Sequence, residues 1–199
     1  MTQTCAWLLA HGMSCLELVA VAFGIWGVYL SILESVWNWP IGMINVALYS
    51  VLFLRQKLLA NAALQIVYFA LSAYGWWEWL YGGAQRTPLH VTRGSPRVRA
   101  GSAVVGGALW LVLIAATHAT GGAMPLLDAG TTAASLVAEW MLARKLIDNW
   151  AVWIVVDGIY VGMLIADHLY LTAFNYAIYF GLAIMGYVAW KRALVATLA

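Results

Sequence analysis

Glu17, Asp128 and Asp157 place carboxylates inside or beside long apolar runs of this chain. A charge within a membrane span costs roughly 2.5–3.5 kcal/mol on insertion scales, so each needs a reason. Asp157 is the deepest, and it falls on one helical face with Trp150 and Trp153. An acid flanked by indoles suits an aromatic cation: the carboxylate supplies countercharge, and the rings supply stacking and cation–π attraction. A carboxylate hydrogen-bonded to neighbouring helices fits the same residues. Asn45, Gln65 and Asn175 place amides at similar depths, with Tyr49 four residues after Asn45 and Tyr68 three after Gln65. Amides can read hydroxyls and a carboxamide; they also serve as interhelical glue. Glu17 and Asp128 suit either gating or bridging between helices.

Other chemistry finds little support. Asp167-His168 has the residue types of a metal or proton site but reads better as a solvated loop. His11, His90 and His118 fall before, between or at the ends of the apolar runs. Cys5 and Cys15 read as free thiols, since no zinc-ligand spacing is present. There is no phosphate-binding loop, nucleophile elbow or metalloprotease motif. No catalytic residue, metal or cofactor is therefore expected; no nucleic-acid partner is expected either, although the net charge of +2 by itself says nothing about one.

The elements that must position these residues are apolar helices. Of 199 residues, 64% are hydrophobic and 9% charged, against about 25% charged in a soluble domain. Such a chain needs lipid as solvent, where only helices and closed barrels span. The runs approach the ~20 residues of a spanning helix and lack the alternation of barrel strands. Seven segments are predicted: Cys15–Leu33, Trp39–Leu54, Leu58–Tyr81, Ser102–His118, Met124–Ala143, Trp150–Ala166 and Tyr170–Trp190. Asn38-Trp39-Pro40 reads as a helix start. Trp37, Trp76, Trp77, Trp79 and Tyr81 lie near span ends, as interfacial aromatics do. Gly82 to Gly101, with four Arg and two Pro, reads as the linker. No charged leader precedes the first run, so no signal peptide is expected.

With seven spans, one side receives only Arg55 and Lys57. The other receives Arg86, Arg93, Arg97, Arg99, Arg144, Lys145, Lys191 and Arg192. The positive-inside rule then puts the C-terminus in the cytoplasm and the N-terminus outside.

Laid against itself with Glu17 on Asp128, the chain also aligns Asn38 with Asn149, Trp39 with Trp150, Tyr49 with Tyr160, Tyr68 with Tyr179, Gly75 with Gly186 and Trp79 with Trp190, without a gap. The reading is one membrane domain, 1–199, all-α, with a three-helix repeat at 15–81, a linking helix at 102–118 and a second repeat at 124–190. This is a 3+1+3 parallel repeat, an architecture that points to transport with a site near the midplane between repeats.

Trp39-Pro40-Ile41-Gly42-Met43-Ile44-Asn45, Leu64-Gln65 and Tyr74-Gly75-Trp76-Trp77-Glu78-Trp79 resemble the first-repeat signature of PnuC-type vitamin transporters. Ala143-Arg144-Lys145 and Asn149-Trp150-Ala151-Val152-Trp153-Ile154 resemble the second. The resemblance runs from about Glu17 to Trp190. It implies a SWEET-like fold in the bacterial inner membrane and facilitated diffusion of nicotinamide riboside; thiamine and riboflavin belong to related branches. It also implies a cytoplasmic kinase that traps the entering solute by phosphorylation. By motif position it makes Asn45, Gln65 and Asn175 ligand contacts, with Trp150 and Trp153 as walls. Tyr49, Tyr68, Asp157 and Tyr179 complete the expected site. Where many family members have Trp-x-x-x-Asn, this chain has Trp153-Ile154-Val155-Val156-Asp157, an acid that suits cationic nicotinamide riboside or thiamine and argues against neutral riboflavin. The partners expected are a small vitamin or nucleoside and the bilayer, with assembly into a homo-oligomer left open. The competing classes are a lipid-modifying membrane enzyme, for which Asp167-His168 is the only candidate centre, and a scaffold with no solute of its own.

Overall fold

The computed structural model describes residues 15–119 and 126–198. Seven α-helices occupy them: α1 Cys15–Ile32, α2 Asn38–Arg55, α3 Leu59–Tyr81, α4 Pro96–Ala119, α5 Leu126–Ala143, α6 Asp148–Ala166 and α7 Tyr170–Leu198. A short 3₁₀ turn, Ala84–Arg86, follows α3. Among the described residues there is no strand, only a parallel bridge between Thr92 and Leu146. Cys5 and His11 lie outside the described residues, as does the expected start of the fifth segment at Met124.

By length and composition, α4 over Pro96–Ala116, α6, and α7 over Tyr170–Val195 are long and apolar enough to cross a membrane; Leu16–Ile32 of α1 is a shorter apolar stretch. α2, α3 and α5 carry the amides, hydroxyls and acids that lower their hydropathy. α4 starts six residues before the expected Ser102. Ser95 and Pro96 explain this: the Ser95 hydroxyl accepts the Val98 N–H at 3.3 Å, and Pro96 takes the first helical position, where its missing N–H is not needed. α7 runs on past Trp190 through Lys191 and Arg192.

The chain divides into two compact units between Trp77 and Glu78, so the last turn of α3 belongs with the second. In the first, α1 packs on α2. The Asn38 amide donates to the Ser31 hydroxyl at 3.0 Å, and Asn45 donates to the Ala20 carbonyl at 2.6 Å. In the second, α5 packs between α4 and α6, and α6 on α7. Ala129, Ala133, Ala138 and Ala143 are fully buried along α5. Small residues let neighbouring backbones approach where no water-driven collapse is available.

The turns recur at the offset of the sequence repeat. Glu34 and Lys145, at φ 55° and 49°, close α1 and α5; Lys57 and His168, at 59° and 58°, close α2 and α6. Each closure is a Schellman motif with both orphan carbonyls satisfied, for example Ser35 N–H to Leu30 O at 3.0 Å and Leu146 N–H to Met141 O at 2.9 Å. Left-handed backbone at a non-glycine residue costs roughly 1–2 kcal/mol, yet it occurs at matching places in both units. Packing repeats too. A Cβ at Gly186 would stand 2.6 Å from the Trp150 ring, and one at Gly75 would stand closer still to the Trp39 ring.

The polar stretch after α3, expected as a linker, is pinned in place. The Thr92 N–H donates to Lys145 O at 3.1 Å, and Ile147 N–H donates to Thr92 O at 2.9 Å. Asp148 accepts the Gly94 N–H at 2.7 Å and faces Arg99 at 4.0 Å. Val91 is buried. The stretch is a strap across the α5–α6 turn, because its backbone polar groups find partners there rather than in water.

Candidate functional site

α5 positions a polar stripe. Asp128, Thr131, Thr132, Ser135 and Glu139 recur every three or four residues, on a face turned away from the exposed Leu126 and Leu127. Thr131, Thr132 and Ser135 are buried. Their hydroxyls are not all free for a ligand: Thr131 donates to the backbone at Leu127 and Asp128, and Ser135 donates to Thr131 O at 2.8 Å. α6 presents Tyr160, whose hydroxyl interacts with Asp128, Thr131 and Thr132. Asp157 lies three residues earlier on the same face and is 5% exposed, with no hydrogen-bond partner among the described residues.

α7 closes this group with aromatic rings. Tyr176 lies 4.6 Å from Tyr160, centroid to centroid, at 31°, and Tyr179 meets Tyr176 edge-on at 6.2 Å. Asn175, half-buried, holds its Oδ1 buried without a partner. A carboxylate, an unpartnered amide oxygen and three phenols are suited to holding a cationic ring with hydrogen-bond donors.

Several expected site residues are brought into this group: Asp128 and Asp157 from α5 and α6 and Tyr179 from α7; Asn175 lies one turn before Tyr179 on α7. Trp153 is half-buried, one turn from Asp157. Trp150 is different. Expected as a wall, it is 2% exposed and packs against Gly186 and edge-on to Trp190 at 5.4 Å, so it is a core ring with no face left for a solute. In the first unit Asn45 binds the Ala20 carbonyl, and Tyr49 stacks on Phe53 at 5.8 Å. Gln65 and Tyr68 are half-buried on α3, and Glu17 lies in the first turn of α1 as Asp128 does in α5. Asp167 and His168 are exposed in the α6–α7 turn, where the His168 ring meets the Tyr170 hydroxyl at 3.0 Å.

The sequence reasoning missed Glu139, Tyr160 as a site member, and the hydroxyls between them. Their signal was present: five polar residues at 128, 131, 132, 135 and 139 make a helical stripe. It also missed what joins the two signature motifs. Glu78, 3% exposed, pairs with Arg144; the Trp79 indole donates to Leu142 O at 3.0 Å, and the Lys145 ammonium stands 4.5 Å over the Trp79 ring. The motif ending α3 is thus braced against the motif that turns α5 into α6.

Comparison with known proteins places this geometry. Residues 14–192 match the family described as nicotinamide mononucleotide transporter. The chain is 26% identical over 206 residues to the nicotinamide riboside transporter PnuC of Escherichia coli (strain K12), covering 90% of this chain and 86% of that protein. It is 25% identical over 179 residues to the riboflavin/roseoflavin transporter RibM of Streptomyces davaonensis, covering 87% and 83%. The crystal structure of the vitamin B3 transporter PnuC superposes with a TM-score of 0.77 at 23% identity, covering 96% of this chain and 86% of that one. At that identity the likeness establishes the fold.

Proposed function

Because the chain belongs to the nicotinamide mononucleotide transporter family, we propose that this membrane protein carries nicotinamide riboside by facilitated diffusion. The observation that carries the choice of solute is the sign of the buried charge. Asp128, Glu139 and Asp157 stand on α5 and α6, and neither helix contains a Lys or Arg. A mononucleotide would bring a phosphate, which calls for Arg or Lys partners. The riboside brings a cationic ring, for which these carboxylates are suitable partners. One relative's name gives nicotinamide riboside and another's riboflavin, so the names support a vitamin solute and the charge argument chooses between them.

In this reading Asp157 is the countercharge and Trp153, rather than the sequestered Trp150, is the aromatic wall. The buried Asn175 oxygen accepts a donor such as the carboxamide N–H, and Tyr179 stands beside it on α7. Of the first unit, Tyr49, Gln65 and Tyr68 keep the ligand-contact roles expected for them. Asn45 contributes through its oxygen, since its N–H holds Ala20. Glu17 and Asp128, in the first turns of α1 and α5, are the gating candidates.

The same proposal includes the 3+1+3 parallel, SWEET-like arrangement, with α4 as the linking helix. It is supported by the recurrence, at the offset of the sequence repeat, of the Schellman turns and of the indole-on-glycine packing. The eight-to-two distribution of basic residues supports an N-terminus outside and a cytoplasmic C-terminus in a bacterial inner membrane. Net uptake then follows from phosphorylation of the entering riboside by a cytoplasmic kinase. A homo-oligomer would leave this site within each chain.

Thiamine, also an aromatic cation, is the second reading on the same charge argument. Calorimetric titration of the purified protein with nicotinamide riboside and thiamine, side by side, tests both. Nicotinamide riboside should bind, and Asp157→Asn should weaken it roughly 10- to 100-fold, the loss of one charge-assisted contact of ~1.5–3 kcal/mol. Binding of thiamine alone would transfer the assignment to thiamine. Binding of neither to folded protein would refute the vitamin-carrier reading.

A further inference from the structure

The two repeats differ along the α5 stripe. In the register that sets Glu17 on Asp128, the residues opposite Thr131, Thr132, Ser135 and Glu139 are Ala20, Val21, Gly24 and Val28, and Val46 stands where the second repeat has Asp157. Two carboxylates, Asp157 and Glu139, are therefore peculiar to the second repeat, and of the two only Asp157 has been given its own place against the solute.

Their register follows from the α5–α6 turn. This tight turn, closed by the Lys145 N–H on Leu142 O at 2.9 Å and the Leu146 N–H on Met141 O at 2.9 Å, sets α6 antiparallel on α5, and Tyr160 stands near Asp128, Thr131 and Thr132. Asp157, about one turn from Tyr160 toward the α5–α6 turn, is then level with Ser135. Glu139 lies one turn further in that direction, about 5–6 Å from the Ser135 level, and is level with Trp153. Glu139 is partly buried and has no hydrogen-bond partner or ion pair among the described residues. Asp157 is nine-tenths buried on the facing helix and likewise accepts no hydrogen bond. The Ser135 and Thr131 hydroxyls donate to backbone carbonyls, and Tyr160 is in electrostatic reach of Asp157 without a hydrogen bond to it.

Among the described residues of the second unit, no ion pair reaches either carboxylate, and the buried Lys145 of the α5–α6 turn stands over the Trp79 ring. α5 and α6 contain no Lys or Arg, and α7 has none before Lys191. On α4, Arg99 faces Asp148, and the Glu78 that ends α3 is matched by Arg144. A carboxylate in low dielectric must be neutralised or paired. A cationic solute can supply that pairing.

We infer that Glu139 is a second station for the positive charge of the solute, one helical turn from Asp157 toward the α5–α6 turn. The inference rests on the cationic-solute reading above. Two carboxylates one turn apart let the charged ring move along the helix axis while keeping a partner, as closely spaced sites do in conducting pores. Trp153, level with Glu139, offers the ring a face at the second station.

Two ribosides of nearly equal size separate charge from shape: nicotinamide riboside, a cation, and its 1,4-dihydro form, which is neutral. In proteoliposomes containing the full chain, Glu139→Gln should lower initial uptake of the cationic form about tenfold and that of the neutral form less than twofold. Glu139→Asp should restore much of the cationic rate. Equal loss for both forms, or loss for neither, overturns the inference. If the Gln variant does not fold, the wild-type protein supplies the test. Labelling of Glu139 by a hydrophobic carbodiimide, read by mass spectrometry, should be slowed by the cationic riboside and not by the neutral one; labelling indifferent to ligand overturns the inference. Wild-type protein that carries neither riboside refutes the substrate reading alone, because protection of Glu139 by thiamine still tests the station.

Discussion

Arg144→Ala should destabilise the protein through a single stranded charge. Glu78 has a side chain only 4% exposed and pairs with Arg144, whose own side chain is 45% exposed. Removing one partner of a fully buried pair costs about 3–5 kcal/mol. Water around the Arg144 site relieves part of that, so roughly 2–3 kcal/mol is expected for Arg144→Ala. Glu78→Gln removes the charge while keeping an acceptor and should cost about 1 kcal/mol, the worth of a typical hydrogen bond. In the Glu78→Gln background no charge remains to be stranded, and Arg144→Ala should then cost under about 1 kcal/mol. The coupling in this double-mutant cycle is therefore about 2 kcal/mol, well above the ~0.5 kcal/mol within which independent sites add. Reversible unfolding of the purified variants in mixed micelles measures it. An Arg144→Ala loss of the same size in both backgrounds would refute the reasoning, because the carboxylate would then not be what Arg144 neutralises.

Two further outcomes test the repeat and its turns. Gly75→Ala and Gly186→Ala should each cost about 1–3 kcal/mol, since each methyl would overlap an indole ring at the equivalent place in its repeat; a neutral effect in unfolding assays at either position would contradict that packing. Lys57→Gly should stabilise the protein by up to about 1 kcal/mol by relieving left-handed backbone at φ 59°. Lys145→Gly relieves similar strain but loses the ammonium 4.5 Å over Trp79, and should gain less than Lys57→Gly in the same assay.

Much of this architecture was legible because lipid leaves a chain few choices. Apolar runs of spanning length become helices, and the described helix ends lie within one or two residues of expectation except at the start of α4 and the end of α7. At α4 the Ser95-Pro96 cap was an unread local signal. At the offset of the sequence alignment, Schellman turns recur with different residues, Glu34 and Lys145, Lys57 and His168, while the indole-on-glycine contacts recur with the same ones. The acid at Asp157 was equally readable, because a carboxylate in an apolar run is conspicuous.

What sequence could not decide was which face of each helix meets which neighbour. Trp150 and Trp153 share a helical face, yet Trp150 is sequestered against Gly186 and Trp190 while Trp153 keeps partial exposure. Gly82–Gly101 has the composition of a linker, and only the folded α5–α6 turn, whose Lys145 carbonyl and Ile147 N–H pair with Thr92 and whose Asp148 carboxylate accepts the Gly94 N–H, turns it into a strap. Glu78 and Arg144 are 66 positions apart, and their pairing exists because α3 ends where α5 ends. Sequence by itself determined the solvent, the helices, their repeat and the sign of the charge they bury, since each follows from composition and local periodicity. Tertiary structure decided which of those charges the protein pairs, as at Glu78 and Arg144, since that depends on contacts between segments far apart in the chain.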